Sequence, residues 1–338
     1  MLKFIKTSLL VLMLIGTCAW GVLAVYFGDS HNSIIQAGIA SVFGLLGLVT
    51  LVGLGFTSWR KRLLITYSLV FVAILSWWLF VINPSNERQW QPDLAKLPYA
   101  TINGDIVTVY NIRNFDYHGE FDFSPAYYTK TYDLTKLEGG DLFAVYWMGP
   151  AIAHTIMSFN FGDKDYLAVS IEARKELNES YSTIKGFFRQ YELTYIVADE
   201  RDVIRLRTNY RKDPLEQVYL YHPQASKENT RRLFLEYIRK INELHDKPMF
   251  YNTLVDNCTT GIWFNTLVNK SHMPFSWKIL LSGYVPEYLY ESGRLDTHIP
   301  FDQLQKLALI NRVAQAADQS PDFSRCIRVA VEQQPQPQ

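Results

Sequence analysis

The sequence holds three cysteines and seven histidines, the side chains best able to supply a nucleophile and a base near neutral pH. Cys258 stands in the run Tyr251-Asn252-Thr253-Leu254-Val255-Asp256-Asn257-Cys258-Thr259-Thr260. Asp256 or Asn257 can cap a helix that follows, which places the sulfur in its first turn. Backbone N–H groups and the helix dipole at that end favour thiolate over thiol. The same N–H groups, with Asn257 beside them, could hold an oxyanion. Two other readings stand next to catalysis. Cys258 could be a small core residue, or it could pair with Cys326, since an outer compartment permits disulfides.

A catalytic thiol needs a base. His31 lies in a loop between apolar segments, and His118, His222, His245, His272 and His298 fall in loops or at helix ends. His154 differs, because it sits inside the apolar run Ala151–Phe161. A buried imidazole needs a hydrogen-bond partner. That partner is a backbone carbonyl if His154 is a core residue, and a thiol if it is a base. The next strand offers a third member. A three-residue turn at Gly162–Lys164 sets Glu172 opposite His154, whereas a two-residue turn at Asp163–Lys164 sets Ala173 there. Glu172 would then orient the imidazole as a carboxylate does in a triad. The alternative is an exposed charge paired with Arg174.

These residues need elements to hold them. Alternation predicts strands over Asp105–Ile112, Leu142–Trp147, Ala151–Phe161 and Tyr166–Ala173, with weaker signals at Thr194–Ala198 and Val203–Thr208. Ser226 caps a predicted helix to about Asp246, whose Leu233, Phe234, Tyr237, Ile238, Ile241 and Leu244 share one face. A second helix runs from Cys258 to about Lys270, and a turn with a short helix follows over Ser282–Leu295. Strands first and helices later make the fold class α+β with an antiparallel sheet and packed helices. Residues 84–98 read as a linker and 99–325 as the domain bearing Cys258 and His154. Residues 326–338 read as a disordered tail, Gln/Pro-rich over Gln333–Gln338.

The first quarter of the chain is different. Ser8–Phe27, Ile34–Phe56 and Leu63–Ile82 are apolar, free of charge and long enough to cross a membrane as helices. Residues 1–83 are therefore a three-helix transmembrane anchor. Lys3, Lys6, Arg60, Lys61 and Arg62 flank the spans on one side, while the loop Gly28–Ser33 has Asp29 and no Lys or Arg. The positive-inside rule places the N-terminus in the cytoplasm and everything after the third span outside, in the periplasm of a bacterial inner membrane. The whole chain has 33 basic and 33 acidic residues, which gives no basic field for nucleic acid. The histidines lack zinc-ligand spacing and no dinucleotide fingerprint occurs, so neither a metal nor another cofactor is expected.

Four stretches together resemble a known family. NIRNFDY (Asn111–Tyr117), GPAIAHTIMSFNF (Gly149–Phe161), YLAVSIEARKE (Tyr166–Glu176) and YNTLVDNCTT (Tyr251–Thr260) are similar to the periplasmic domain of the Lnb-type lipoprotein N-acyltransferases. The likeness spans roughly Trp90 to Leu295. It implies a circularly permuted papain-like fold of the NlpC type, with Cys258 as nucleophile, His154 as base and Glu172 at the acidic position. It also implies an acyl thioester on Cys258 and a membrane lipid or lipoprotein as substrate. Arg113, Tyr117 and Arg174 become candidates for substrate contact, the arginines with phosphate head groups; ion pairs are the alternative for both arginines. The chain departs from the family in its three-helix anchor and in lacking, by expectation, a second C-terminal domain. A water acceptor would make the same chemistry hydrolysis. A peptidase or amidase acting on cell-wall peptide, or a non-catalytic membrane-anchored binding or scaffold domain, are the competing readings.

Overall fold

The computed structural model describes residues 2–28, 33–162 and 165–332. His31, the turn residues Asp163 and Lys164, and the tail Gln333–Gln338 lie outside the described residues. The chain divides into two compact units.

The first unit comprises Met1–Ser85 with Tyr181–Glu192 and Phe250–Thr253. Its helices are α1 (Leu2–Phe27), α2 (Ser33–Gly53) and α3 (Thr57–Phe80). All three are long and apolar enough to span a membrane. Leu14, Val25, Phe43 and Tyr67 pack between them, and the Thr17 and Tyr67 hydroxyls meet at 2.8 Å. Helix α3 begins earlier than the hydropathy suggests and takes in Arg60, Lys61 and Arg62. Lys and Arg are good helix formers, so their charge does not end the helix.

The second unit comprises Asn86–Ser180, Leu193–Met249 and Leu254–Gln338. Its strands are β1 (Tyr99–Asn103), β2 (Ile106–Arg113), β3 (Asp116–Tyr117), β4 (Phe123–Ser124), β5 (Tyr127–Asp133), β6 (Gly139–Tyr146), β7 (His154–Asn160), β8 (Tyr166–Arg174), β9 (Glu192–Ala198) and β10 (Gln217–Tyr221). Its helices are α4 (Glu200–Arg205), α5 (Lys227–Asp246), α6 (Cys258–Thr266), α7 (Trp277–Leu280), α8 (Val285–Glu291), α9 (Phe301–Ala308), α10 (Asn311–Ala316) and α11 (Phe323–Glu332). The main sheet runs β1-β2-β9-β8-β7-β6-β10, with β5 also on β2, while β3 and β4 pair separately. The class is α+β, as expected. The sheet is mixed rather than purely antiparallel, because β2 meets β9 in parallel at Arg113 and Ala198.

Alternation splits the sheet residues between two cores. Val169 and Ile171 of β8 join Phe234, Tyr237 and Ile241 of α5 in one, and Cys258 and Ile262 of α6 pack against it. Phe143, Ile156 and Ala168 join Ile204, Ala314 and Ile327 in the other. Two helical layers thus sandwich the sheet. Ser226 caps α5 as expected, its hydroxyl accepting from the Asn229 N–H at 3.2 Å.

Three expectations fail. Val203–Thr208 is not a strand. Asp199 accepts from the Arg201 N–H and starts α4, which continues into a π-turn over Leu206–Tyr210. Residues 326–332 are not a tail but belong to α11, where Arg328 donates to Asp141 at 2.6 Å and Glu200 at 2.7 Å in the interior. The stretch 84–98 is no free linker. The Gln91 N–H donates to the Lys175 carbonyl, Trp90 is buried, and Arg174 lies 4.1 Å over its ring.

Candidate active site

Helix α6 starts at Cys258 because Asn257 closes it. The Asn257 side-chain oxygen accepts from the Thr259 and Thr260 N–H groups, both at 2.9 Å. The Thr260 hydroxyl in turn accepts from the Asn257 N–H at 3.0 Å, completing a capping box. The Gly261 N–H reaches the Asn257 carbonyl at 2.9 Å. Among the described residues, no acceptor meets the Cys258 N–H. Gly261 also lets the helix lie close on the sheet, for a Cβ there would stand 2.8 Å from Ile171 Cδ1. The sulfur is half-buried, and both Cys258 and Cys326 are free thiols rather than a bridge.

Strand β7 delivers the imidazole. Its register with β8 pairs Asn160 with Tyr166 and Ile156 with Ser170. The Phe161 N–H bonds the Asp165 carbonyl at 2.8 Å, the spacing of the three-residue connection. Continued to its end, this register sets Glu172 opposite His154. Ser170 and Glu172 share a face of β8, two residues apart. His154 Nε2 lies 2.7 Å from Ser170 Oγ and 3.1 Å from Glu172 Oε1, and the Ser170 hydroxyl donates to Glu172 Oε1 at 2.7 Å. With Nε2 engaged there, Nδ1 is the nitrogen left for sulfur. The Cys258 and His154 side chains are close enough that each shifts the other's protonation.

The electrostatics follow from this chain of contacts. Burial pushes the Cys258 thiol up, but the His154 charge and hydrogen bond, aided by the Thr155 backbone and Thr259, bring it down to about 7. Burial pushes the imidazole down most and Arg207 opposes its charge too, but the Glu172 charge and the Cys258 sulfur together raise His154 to about 9. Burial pushes the Glu172 carboxyl up, while His154, Arg207 and Ser170 hold it well below the usual carboxylate range. The pair is thus arranged as thiolate and imidazolium between these two values. Such a pair can attack a carbonyl carbon and return a proton to the leaving group.

Comparison with protein families now has a geometry to meet. Residues 123–283 match the Lnb N-terminal periplasmic domain. This is the family expected from the four stretches, and the matched Lnb-type region takes in His154, Ser170, Glu172 and Cys258. With three apolar helices ahead of this region in the sequence, the chain is a membrane-anchored periplasmic protein. No curated protein and no solved structure matches the chain.

Ahead of the Lnb-type region, Arg113 donates to both Asp202 oxygens, with Nη2–Oδ1 at 2.7 Å, and to the Asp93 carbonyl at 2.9 Å. The Tyr117 hydroxyl donates to the same carboxylate at 3.2 Å. Both side chains are buried, so they form an internal cluster and do not offer themselves to a head group. Within the Lnb-type region, Arg174 is buried as well. It donates to the Leu94 and Ala95 carbonyls at 3.0 Å and to Asn86 at 3.2 Å, and it does not pair with Glu172. The Asn257 oxygen serves as the helix cap.

Two residues escaped the sequence reading. Ser170 carried a legible signal, a hydroxyl two positions before Glu172 in an apolar strand. Arg207 carried none, because its stretch reads as a strand. The π-turn puts Arg207 Nη2 3.2 Å from Glu172 Oε1 and Nη1 3.4 Å from Glu216, which also takes Arg211 at 3.0 Å.

Proposed function

We propose that this chain is a membrane-anchored cysteine acyltransferase or thiol hydrolase that forms an acyl thioester on Cys258, with a membrane lipid or lipoprotein as substrate. The proximity of Cys258 to His154, whose Nε2 is held by Ser170 and Glu172, carries the reading. The order of histidine strand before cysteine helix supports a permuted papain-like arrangement. The flanking Lys and Arg residues support a cytoplasmic N-terminus, with the Lnb-type domain outside.

In the first half-reaction His154 Nδ1 holds the thiol proton and the thiolate attacks an ester carbonyl. The S–C bond forms, the Cys258 N–H donates to the developing oxyanion, and the C–O bond to the alcohol breaks. His154 gives its proton to the departing oxygen. In the second half an amine attacks the thioester carbonyl and His154 takes the amine proton. The C–S bond then breaks, and the sulfur leaves as thiolate. Water in place of the amine gives hydrolysis. Glu172 and Ser170 keep Nε2 protonated and the ring oriented throughout.

The test is acyl-thioester trapping on the full-length chain with a radiolabelled phospholipid. Wild type acquires hydroxylamine-sensitive label, and Cys258→Ala acquires none while keeping its melting temperature. Undiminished labelling of Cys258→Ala refutes the assignment.

A further inference from the structure

Behind its first residue, α6 carries a stripe at helical spacing. Thr259, Ile262, Trp263 and Thr266 line a largely apolar pocket, with Leu233 of α5 and Leu289 of α8 also in its walls. The pocket adjoins the sulfur. Thr259 Oγ1 lies 3.6 Å from Cys258 Sγ and 3.0 Å from the hydroxyl of Thr155, the residue after His154, and both threonines line the pocket. Thr155 can donate to Thr259 and Thr259 to the sulfur, so the wall nearest the sulfur asks no hydrogen bond of an occupant. Polar groups around the rim are engaged too. The Trp263 indole N–H donates to the Met273 carbonyl at 3.0 Å, Asn269 donates to the Asn229 carbonyl at 3.0 Å and accepts from Arg232 at 2.9 Å, and Arg294 donates to the Ser271 carbonyl at 2.6 Å. A peptide would bring backbone donors and acceptors that such walls leave unmet, whereas a hydrocarbon chain brings none.

We propose that this pocket holds the acyl chain of the substrate, with the carbonyl at Cys258 and the tail along the Thr259–Thr266 stripe. The assignment rests on the thiol-acylation reading above and adds to it the donor's selectivity for chain length. Each methylene taken into the pocket raises kcat/KM about fourfold, the equivalent of about 0.8 kcal/mol, until the pocket is full.

Two measurements on the full-length chain in lipid nanodiscs test it. The first follows thioester formation from a series of acyl esters, acetyl to dodecanoyl, and takes the ratio of long-chain to acetyl rates in wild type and in Ile262→Trp. Each ratio is internal to one variant, so the folded fraction cancels. A rising wild-type series that collapses in Ile262→Trp supports the pocket. A flat series overturns it. The second measurement needs no chemistry. A dodecanoyl ester with a terminal diazirine is photolysed with Cys258→Ala and the adducts are mapped. Adducts on Ile262, Leu233 or Leu289 support the pocket, and adducts confined to α1–α3 overturn it. Pocket adducts without any thioester in wild type remove the nucleophile assignment and leave the pocket. A thioester with a flat series does the reverse.

Discussion

Replacing Glu172 by Gln removes one charge and keeps the shape. Glu172, with the Cys258 sulfur, lifts His154 from an ordinary value near 6.5 to about 9 against burial. That lift corresponds to about 3 kcal/mol favouring imidazolium, at about 1.4 kcal/mol per tenfold change in the proton equilibrium. Without it, burial dominates and the ring is neutral near pH 7. The thiol then loses the charge that brought it to about 7 and returns to its ordinary value near 9. Near pH 7 the thiolate fraction falls from about one half to about one hundredth, about fiftyfold. The more basic thiolate is also the better nucleophile, by about eightfold for a Brønsted slope of about 0.45. Reaction with an aromatic disulfide reagent should therefore slow about sixfold near pH 7. Near pH 10, where the wild-type imidazole has lost its proton too, both proteins present a thiolate beside a neutral ring and the two rates should converge. Stopped-flow release of the chromophoric thiol across this range reads the gap and its closing. A loosened fold speeds or slows the reaction at every pH and produces no convergence. Parallel profiles for the two proteins refute the carboxylate–imidazole–thiol coupling.

The pH dependence of acylation should be bell-shaped, rising through about 7 as Cys258 ionises and falling through about 9 as His154 loses the proton it must donate; a kcat/KM profile that keeps climbing above pH 9 contradicts the assigned acid. Arg207→Met removes a positive neighbour of the imidazole, so His154 should titrate higher and the falling limb move to higher pH, whereas a role confined to packing predicts lower activity with unmoved limbs. Asn257→Ala leaves the Thr259 and Thr260 N–H groups without their acceptor and should cost about 1 kcal/mol, read as a lower urea midpoint. Arg328→Met leaves Asp141 with His222 and Glu200 with the Ser158 hydroxyl but takes away the guanidinium both share, and should cost about 3 kcal/mol; an unchanged melting temperature refutes the structural role of α11.

Much of this molecule was legible in its residues. The three apolar runs, the alternation of β2 and β6–β8, and the amphipathic face of α5 follow from side-chain period alone. So did the polar residue ahead of Cys258, because a cap acts within one turn of chain. The Glu172–His154 pairing was legible only conditionally, since one residue of turn length decides which side chain faces the imidazole. What stayed hidden depends on partners far along the chain. Val203–Thr208 has a strand's composition, yet Asp202, Arg205 and Arg207 bond to Arg113, Asp116 and Glu172, and these distant pairs fix the helix and its π-turn. The mixed composition of Phe323–Glu332 concealed a helix for the same reason, because burying Arg328 is favourable only where two carboxylates wait. Arg113 and Arg174 looked like binding residues because sequence shows a charge and not what surrounds it.

Arg328 meets Asp141 across 187 residues and Glu200 across 128. During synthesis both acids emerge well before their guanidinium, as do the sulfur and the imidazole. Until α11 docks, Asp141 has His222 and Glu200 has the Ser158 hydroxyl, and this layer of the sheet waits for a guanidinium made last. A chain still on the ribosome therefore has β1–β10 before it has the arginine that ties two of its buried acids together. The late arginine acts as a latch on an otherwise finished sheet.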